Sequence, residues 1–296
     1  MKIKENLEKF IKRIIILPFY IIFYAGETYS YLLKLLKIKF YLKWLDLFNR
    51  ETDKKFIEIK HKSSQNKFVN IKFSTPNSRC KHRAETFSIK EPETLEWIDR
   101  QKYNGVFFDV GANIGLYSTY YSITKNGKVF AFEPSIFNIY QLAKNININN
   151  LNKNICIIKN PLGDQNQISK LSFNKLDYGG SEVFFGEEIS KSLKKNNYNF
   201  KHNFSYDCLG LSIDFLIENK IIDYPNCMKI DVDGTEQLIL QGAKKALLNK
   251  KLTSILIEVN HLMKDLTTIV EKTLTNFGFK KSETRTTQKF NQIWDR

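Results

Sequence analysis

The sequence has few of the residues that build disulfides and soft-metal sites. Its 296 residues include only four cysteines and four histidines, and no two cysteines stand in C-x-x-C spacing. The cysteines are Cys80, Cys156, Cys208 and Cys227. This pattern argues against a zinc site built from cysteines and against a disulfide framework, and it favours a reducing compartment.

Acidic residues are also scarce relative to basic ones. Asp and Glu total 31 against 46 Lys and Arg, which gives a formal net charge of +15. This excess favours anionic surroundings such as nucleic acid or an acidic membrane face, but no five consecutive residues are basic. A solvated lysine-rich surface is the simpler explanation. Hydrophobic residues make up 42% of the chain, and 23 residues are Phe. This content is enough to fill a sizeable core, and it argues against a disordered chain.

The N-terminal segment lacks an uninterrupted apolar run of the roughly 20 residues that a spanning helix needs. The apolar run from Ile14 to Gly26 is shorter, and basic residues precede it. A second apolar stretch, Tyr31 to Phe48, is interrupted by lysines, as in a helix that lies on a membrane surface. Three interpretations of residues 1–52 stay open: an appendage packed on the rest of the chain, membrane-surface association, and a signal peptide or span.

Strand and helix patterns alternate from residue 106 onward. The continuous apolar runs are VFFDV, KVFAFE, ICIIKN, CMKIDV and SILIEVN, with helical patterns between them, including one predicted over Glu236–Asn249. Such alternation predicts a parallel sheet covered on both faces, here closed by an antiparallel pair at the C-terminus. The predicted organisation is a basic helical extension (1–52), lead-in strands and a helix (53–104), and an α/β domain (105–296).

The first strand of this domain runs into a glycine turn, DVGANIG. Gly111 permits a bend and the close approach of a ligand, and Gly115 lets the next helix pack near the strand. Asn113 replaces the second glycine of a dinucleotide turn, and the acid Asp109 precedes the turn. An acid there repels phosphate and attracts an ammonium group, so the turn predicts a ligand with a cationic amino-acid part.

A second acid stands where a ribose would be held. Glu133 ends the next strand, 22 residues beyond Gly111, and Pro134 follows it. An acid at this position accepts hydrogen bonds from both ribose hydroxyls. A nucleoside with a positively charged tail fits both signals, which predicts S-adenosylmethionine as cofactor. Asp164, after the third strand, is predicted to contact the adenine amino group, although a plain turn at Gly163 explains that segment equally well.

Four motifs in order, DVGANIG, AFEPSIFN, MKIDVDGTE and ILIEVN, resemble those of the FkbM-type methyltransferases. This family is a branch of the class I S-adenosylmethionine-dependent methyltransferases, and the resemblance covers roughly residues 91–296. One departure is Asp233, where the family more often has Glu; with Glu236 it predicts a helix-capping box. The resemblance implies a Rossmann-like sheet, mostly parallel with the last strand antiparallel, with helices on both faces and methyl transfer to oxygen.

The fourth strand carries the predicted reaction centre. Lys229 and Asp231 share one face because side chains alternate along a strand. We expect Asp231 to act as general base or hydrogen-bond partner of the acceptor, and Lys229 to stabilise the developing alkoxide. An ion pair that only shapes the site is the alternative, and His261 is an alternative base. Asp231, Glu258 and Asn260 form an oxygen-rich set suited to Mg²⁺, but we predict no metal.

The expected acceptor is a hydroxyl of a saccharide or a related cell-surface glycan or natural product. Residues 178–209, which include GGSEV, and the N-terminal elements are expected to form its pocket. A nucleic-acid methyltransferase is one alternative, but the chain has D-V-D-G where an N-P-P-Y motif would follow the fourth strand. An inactive cofactor-binding module in a glycan-assembly complex is another. The expected location is the cytoplasm, either free or peripheral on the inner membrane face.

Overall fold

The chain forms two compact units, Met1–Lys55 and Phe56–Arg296. The computed structural model describes residues 2–38, 43–186, 204–232, 234–259, 264–283 and 290–296. The first unit contains helix α1 (Lys2–Leu35) and helix α2 (Lys43–Asp53). Within the described residues, neither these nor later helices combine the length and apolarity that crossing a bilayer requires.

The second unit contains the predicted alternation of strands and helices. Its strands are β1 (Phe56–Lys62), β2 (Phe68–Ser74), β3 (Val106–Val110), β4 (Lys128–Phe132), β5 (Ile155–Ile158), β6 (Gln167–Phe173), β7 (Val183–Phe185), β8 (Phe204–Gly210), β9 (Cys227–Ile230), β10 (Ser254–Glu258), β11 (Lys280–Lys281) and β12 (Asn291–Asp295). Its helices are α3 (Ser78–Glu85), α4 (Phe87–Lys90), α5 (Pro92–Asp99), α6 (Leu116–Lys125), α7 (Ile136–Ile148), α8 (Ile213–Glu218), α9 (Glu236–Gln241), α10 (Lys244–Leu248) and α11 (Lys264–Asn276).

A seven-stranded sheet in the order β11-β12-β10-β9-β3-β4-β5 forms the centre of this unit. Strand β12 runs antiparallel to both of its neighbours, and the other pairs are parallel. This confirms the predicted Rossmann-like sheet, mostly parallel with the last strand antiparallel. The chain moves outward from β3 to β5 and then returns to β9, so the order switches between β3 and β9. Ligands of such sheets bind beyond the carboxyl ends of the strands at the switch.

Helices cover both faces of the sheet, as predicted. The side chains of β3 alternate between two hydrophobic clusters: Phe108 lies in one and Phe107 in the other. The first cluster includes apolar residues of α8 to α11, and the second includes residues of β2 and α3 to α7. The lead-in elements therefore belong to the core of the same unit as the sheet.

Two features differ from the sequence prediction. The single helix predicted over Glu236–Asn249 is wrong, because the Asp214 carboxylate accepts hydrogen bonds from the backbone N–H groups of Lys245 and Ala246, at 3.0 and 3.3 Å, and caps a separate α10. Beside the central sheet and the antiparallel β1–β2 pair there is a three-stranded sheet, β7-β6-β8, which was not predicted. Its strands expose many side chains around a small apolar cluster, so their hydrophobic periodicity is weak.

The predicted capping box before α9 has a different form. Thr235 occupies the N-cap position, and its side chain makes no capping hydrogen bond. The Glu236 carboxylate instead accepts a hydrogen bond of 2.9 Å from the Gly234 N–H group. Asp233 lies outside the described residues.

Candidate functional site

A groove opens at the carboxyl ends of the central strands, where the order switches. Its central cavity has a volume of about 240 Å³. A charged recess of about 50 Å³, lined by charged and aromatic residues including Lys90, Glu91 and Tyr117, adjoins it on one side. An apolar recess of about 40 Å³, with Phe132 and Phe185 in its wall, adjoins it on the other. All three share Gly111, so they meet at the glycine turn.

The glycine turn has the left-handed backbone that the sequence predicts. Gly111 has φ +82°, and a Cβ atom there would lie 1.9 Å from the backbone oxygen of Asp231. Gly115 has φ +81°, and a Cβ atom there would lie 2.3 Å from Leu142 Cδ1. Without a side chain, Gly111 lets the ends of β3 and β9 approach each other, and Gly115 lets the start of α6 pack against α7.

Asp109 lies beneath the turn rather than in the groove. Its side chain is 1% exposed, and Oδ2 accepts a hydrogen bond of 2.5 Å from Ser118 Oγ. Burial raises the pKa of Asp109, while the neighbouring Lys229 ammonium opposes the rise. Its Oδ1 atom has no hydrogen-bond partner among the described residues. This buried oxygen is an unsatisfied acceptor, and Asp109 is not among the residues that line the three cavities, so its predicted contact with an ammonium group stays a prediction.

Glu133 is held at the wall of the central cavity. Its Oε2 atom accepts a hydrogen bond of 2.7 Å from the Asn113 N–H group, and its Oε1 atom accepts one of 2.9 Å from the Ser135 N–H group. Burial raises the pKa of Glu133 to about 7, although these hydrogen bonds oppose the rise. Asn138 Nδ2 also donates to Oε1, at 3.4 Å, so of the roughly four acceptor positions of a carboxylate Glu133 retains about one for a ligand hydroxyl. Pro134 lines the same cavity.

The segment around Gly180 closes one side of the cavity. The Asn113 and Asn138 side chains both donate to the Gly180 carbonyl oxygen, at 2.7 and 3.0 Å. The Arg83 Nε atom donates to the Gly179 carbonyl oxygen at 2.8 Å. Residues of GGSEV thus line the groove next to the cofactor turn. Residues 187–203 of the predicted acceptor region lie outside the described residues.

The predicted pair Lys229 and Asp231 is an ion pair. Lys229 Nζ lies 2.6 Å from Asp231 Oδ2, and the Lys229 side chain is 1% exposed. Burial alone would lower the pKa of Lys229, but the carboxylates of Asp231, Glu91 and Asp109 outweigh burial and raise it. Burial alone would raise the pKa of Asp231. The Lys229 charge and two hydrogen bonds outweigh burial and lower this pKa to about 2. Both groups are therefore charged at neutral pH.

Glu258 completes this cluster. Its carboxyl group is hydrogen-bonded to Asp231, and both residues line the central cavity. The Asp231 charge, together with burial, raises the pKa of Glu258 to about 9. Glu258 is therefore protonated at neutral pH and donates to the ionised Asp231.

Asp164 is the one remaining predicted site residue that the structure describes. Asp164 is exposed and is not among the residues that line the three cavities. His261 and Asn260 lie outside the described residues. Within the described part of the chain, no group of three or more His, Cys, Asp or Glu is arranged to hold a metal ion.

Several groove residues were missed from the sequence. Arg83, Lys90 and Glu91 come from α3, α4 and the start of α5, all before the glycine strand. Lys90 Nζ lies 3.2 Å from the buried Glu91 carboxylate, and Thr94 Oγ1 donates to that carboxylate at 3.2 Å. The one sequence signal was the lead-in segment KEPETLEWID, which places two charged residues directly before Pro92.

Comparisons with known proteins give one family match. The family model described as "Methyltransferase FkbM domain" matches residues 109–281. Comparison with curated proteins finds no significant match.

Three solved structures illustrate the structural similarity. A methyltransferase FkbM from Methylobacillus flagellatus KT is 16% identical, with a TM-score of 0.47. The match covers 67% of this chain and 44% of that one, so the chain spans less than half of that protein. A putative rRNA-methylase from Clostridium thermocellum is 13% identical (TM-score 0.42), with coverage of 69% and 92%. Aeropyrum pernix fibrillarin with bound S-adenosyl-L-methionine is 10% identical (TM-score 0.34), with coverage of 65% and 66%.

The family match extends over more than half of the chain and includes the glycine turn, Glu133 and the Lys229–Asp231 pair. It confirms the predicted methyltransferase class and S-adenosylmethionine as its cofactor. The chain belongs to the FkbM methyltransferase family.

Proposed function

We propose that the protein transfers a methyl group from S-adenosylmethionine to a hydroxyl of a saccharide or a related cell-surface glycan or natural product. The observation that carries this proposal is the ionised Asp231 in the wall of the cavity that also contains Glu133. Asp231 can accept a hydrogen bond from a hydroxyl, and the buried Lys229 keeps it ionised.

The groove fits the cofactor in three parts. The Glu133 carboxylate suits a ribose hydroxyl, for which about one acceptor position remains beside its three protein donors. The apolar recess suits the flat adenine ring, because Phe132, Leu162 and Phe185 are among its lining residues. The charged recess suits the amino-acid end, which carries one ammonium and one carboxylate: Glu91 supplies negative charge, and Lys90 and Arg83 supply positive charge.

Methyl transfer to oxygen requires a place for the hydroxyl proton. When bound, the cofactor supplies an electrophilic methyl group: the acceptor oxygen bonds to the methyl carbon as the carbon–sulfur bond breaks, and that electron pair stays on sulfur. The hydroxyl proton becomes strongly acidic as its oxygen bonds to carbon, so even a weakly basic carboxylate can accept it. Asp231 orients the hydroxyl and takes its proton, and Lys229 positions Asp231.

The lining of the central cavity supports a saccharide over a nucleobase. None of the described residues in its wall is aromatic, so a flipped base would meet the apolar Pro134, Val183 and Val232 there but no aromatic ring to stack on. Arg83 and Glu258 offer hydrogen-bond donors and acceptors instead. Such polar groups suit the many hydroxyls of a sugar.

We expect labelled saccharide when the full-length protein is incubated with S-adenosylmethionine that carries a tritiated methyl group and with a cell-envelope saccharide fraction. The label should resist alkali, because a methyl ether is stable where a methyl ester is hydrolysed. A parallel incubation contains total RNA. Label in RNA, alkali-labile label, or cofactor binding without transfer to either fraction would each overturn the proposal.

Replacing Asp231 should stop transfer but spare cofactor binding. We expect Asp231→Asn to lower kcat by about 10²–10⁴-fold, the usual contribution of a proton acceptor. The affinity for S-adenosylhomocysteine, measured by calorimetry, should change less than about threefold. The matched control is Asp223→Asn, which breaks an exposed pair with Lys128 (2.9 Å) and should leave kcat unchanged. An Asp231→Asn enzyme with full kcat would remove Asp231 from the reaction.

Binding at the ribose position should depend on pH. The pKa of Glu133 is raised to about 7, and the ionised carboxylate is the better acceptor of ribose hydroxyls. Affinity should therefore be low below this pKa and rise about tenfold between pH 6 and pH 8, as the ionised fraction does. We suggest methylthioadenosine as calorimetric ligand, because it has the ribose but no titrating amino-acid end. Glu133→Gln should bind more weakly and lose the pH dependence; an unchanged pH profile in that variant would contradict the assignment.

The charged recess can be tested with the same pair of ligands. We expect Lys90→Ala to weaken S-adenosylhomocysteine about tenfold, because the recess then loses a cation that faces the ligand carboxylate. Methylthioadenosine, which lacks that carboxylate, should bind as to the unaltered protein. Lys81→Ala is the matched control, since Lys81 lies on α3 in an exposed pair with Glu85. Equal losses for both ligands would show that Lys90 does not read the amino-acid end.

A further inference from the structure

Helix α1 carries a stretch of large apolar side chains in contact with solvent. In the segment from Ile14 to Tyr24, every large apolar or aromatic side chain is between 46% and 69% exposed. Phe19 is 69% exposed, Ile22 65% and Tyr24 64%. Isolated exposed apolar residues are common on proteins, but a contiguous set of this size marks an interaction surface.

The exposed apolar side chains surround the helix rather than form one stripe. Ile14, Ile15, Ile16 and Leu17 are consecutive, and all four are exposed. Successive helical residues point about 100° apart, so four in a row cover every side of the helix. A surface helix in water normally keeps a polar face. This segment therefore lacks the polar face that a helix in water normally keeps.

Basic residues stand on both sides of this apolar segment. Before it, Lys2, Lys4, Lys9, Lys12 and Arg13 outnumber Glu5 and Glu8, and after it Lys34 and Lys37 outnumber Glu27. Arg13, Lys34 and Lys37 are exposed. Two copies of such a helix would repel each other in parallel and in antiparallel orientation, because both ends are positive. Anionic lipid headgroups complement the same charges.

We propose that α1 inserts its apolar segment, Ile14–Tyr24, into the surface of a bilayer that contains anionic lipids. The segment is about 16 Å long at 1.5 Å per residue, roughly half of the hydrocarbon thickness of a bilayer. Tyr20 and Tyr24 are of a residue type that concentrates at the membrane–water interface, and Phe19 and Phe23 suit the apolar side of an interfacial helix. The basic flanks contact the headgroups, and Leu47 and Phe48, exposed on α2, add apolar contact. This inference does not depend on the identity of the methyl acceptor.

Vesicle sedimentation of the full-length protein tests this proposal. The vesicles contain either phosphatidylcholine alone or phosphatidylcholine with about 30% phosphatidylglycerol, in roughly 0.1 M and 0.5 M salt. We expect most of the protein to pellet with the anionic vesicles at low salt. The bound fraction should fall several-fold with neutral vesicles or at high salt, because the electrostatic part is then lost or screened.

Two double variants distinguish membrane binding through α1 from nonspecific binding through other exposed apolar side chains. Phe19→Glu combined with Ile22→Glu should lower the bound fraction at least tenfold, because two charges would enter the apolar segment. The matched control is Ile168→Glu combined with Leu248→Glu, which alters residues that are 75% and 66% exposed in the second unit. The control should bind like the unaltered protein.

Three results would overturn the proposal. The first is that unaltered protein stays in the supernatant with anionic vesicles. The second is that the α1 variant binds as strongly as the control. The third is that the protein forms a stable oligomer by light scattering that the α1 variant loses, without any vesicle binding; a second copy of the chain would then cover the helix. Sedimentation without vesicles measures aggregation in each case.

Discussion

The active site depends on one buried ammonium group. Lys229 lies inside the sheet with its Nζ atom 2.6 Å from Asp231, and it also faces the carboxylates of Asp109 and Glu91. Removing one member of a buried charge cluster leaves an uncompensated charge, which costs several kcal/mol of folding free energy. Replacing the whole cluster by apolar residues often gives a protein that is equally stable. Stability alone therefore does not explain the cluster. Its position at the cavity that contains Gly111 and Glu133 supports the proposed role in methyl transfer.

The same cluster determines which of two neighbouring carboxyl groups is ionised. Asp231 and Glu258 are hydrogen-bonded, and two carboxylates so close do not both ionise. Because Lys229 stands next to Asp231, the negative charge settles there and the proton stays on Glu258. The ionised group is thus Asp231, which pairs with Lys229 and lies in the wall of the cavity where we propose that the hydroxyl binds. The position of Asp231 in the cavity wall and its ionisation therefore both support it as the proposed proton acceptor.

Sequence motifs predicted the part of the site built from strand ends and the turns after them. The positions of Gly111, Glu133, Lys229 and Asp231 follow from the register of parallel strands, which brings their carboxyl ends to one edge of the sheet. Arg83 and Lys90 could not be predicted in this way, because α3 and α4 reach the groove through tertiary packing. The division between α9 and α10 was missed for a related reason: its cap comes from Asp214, 31 residues before Lys245.

The charge cluster also bears on the oxygen-rich set that the sequence suggested for Mg²⁺. A divalent ion would need Asp231 and Glu258 as anionic oxygen ligands. Here the Lys229 ammonium balances one carboxyl group and a proton neutralises the other. Binding Mg²⁺ between them would first require Glu258 to lose a proton whose pKa is raised to about 9. The buried lysine therefore supplies, within the protein itself, the positive charge that a metal ion would bring to Asp231.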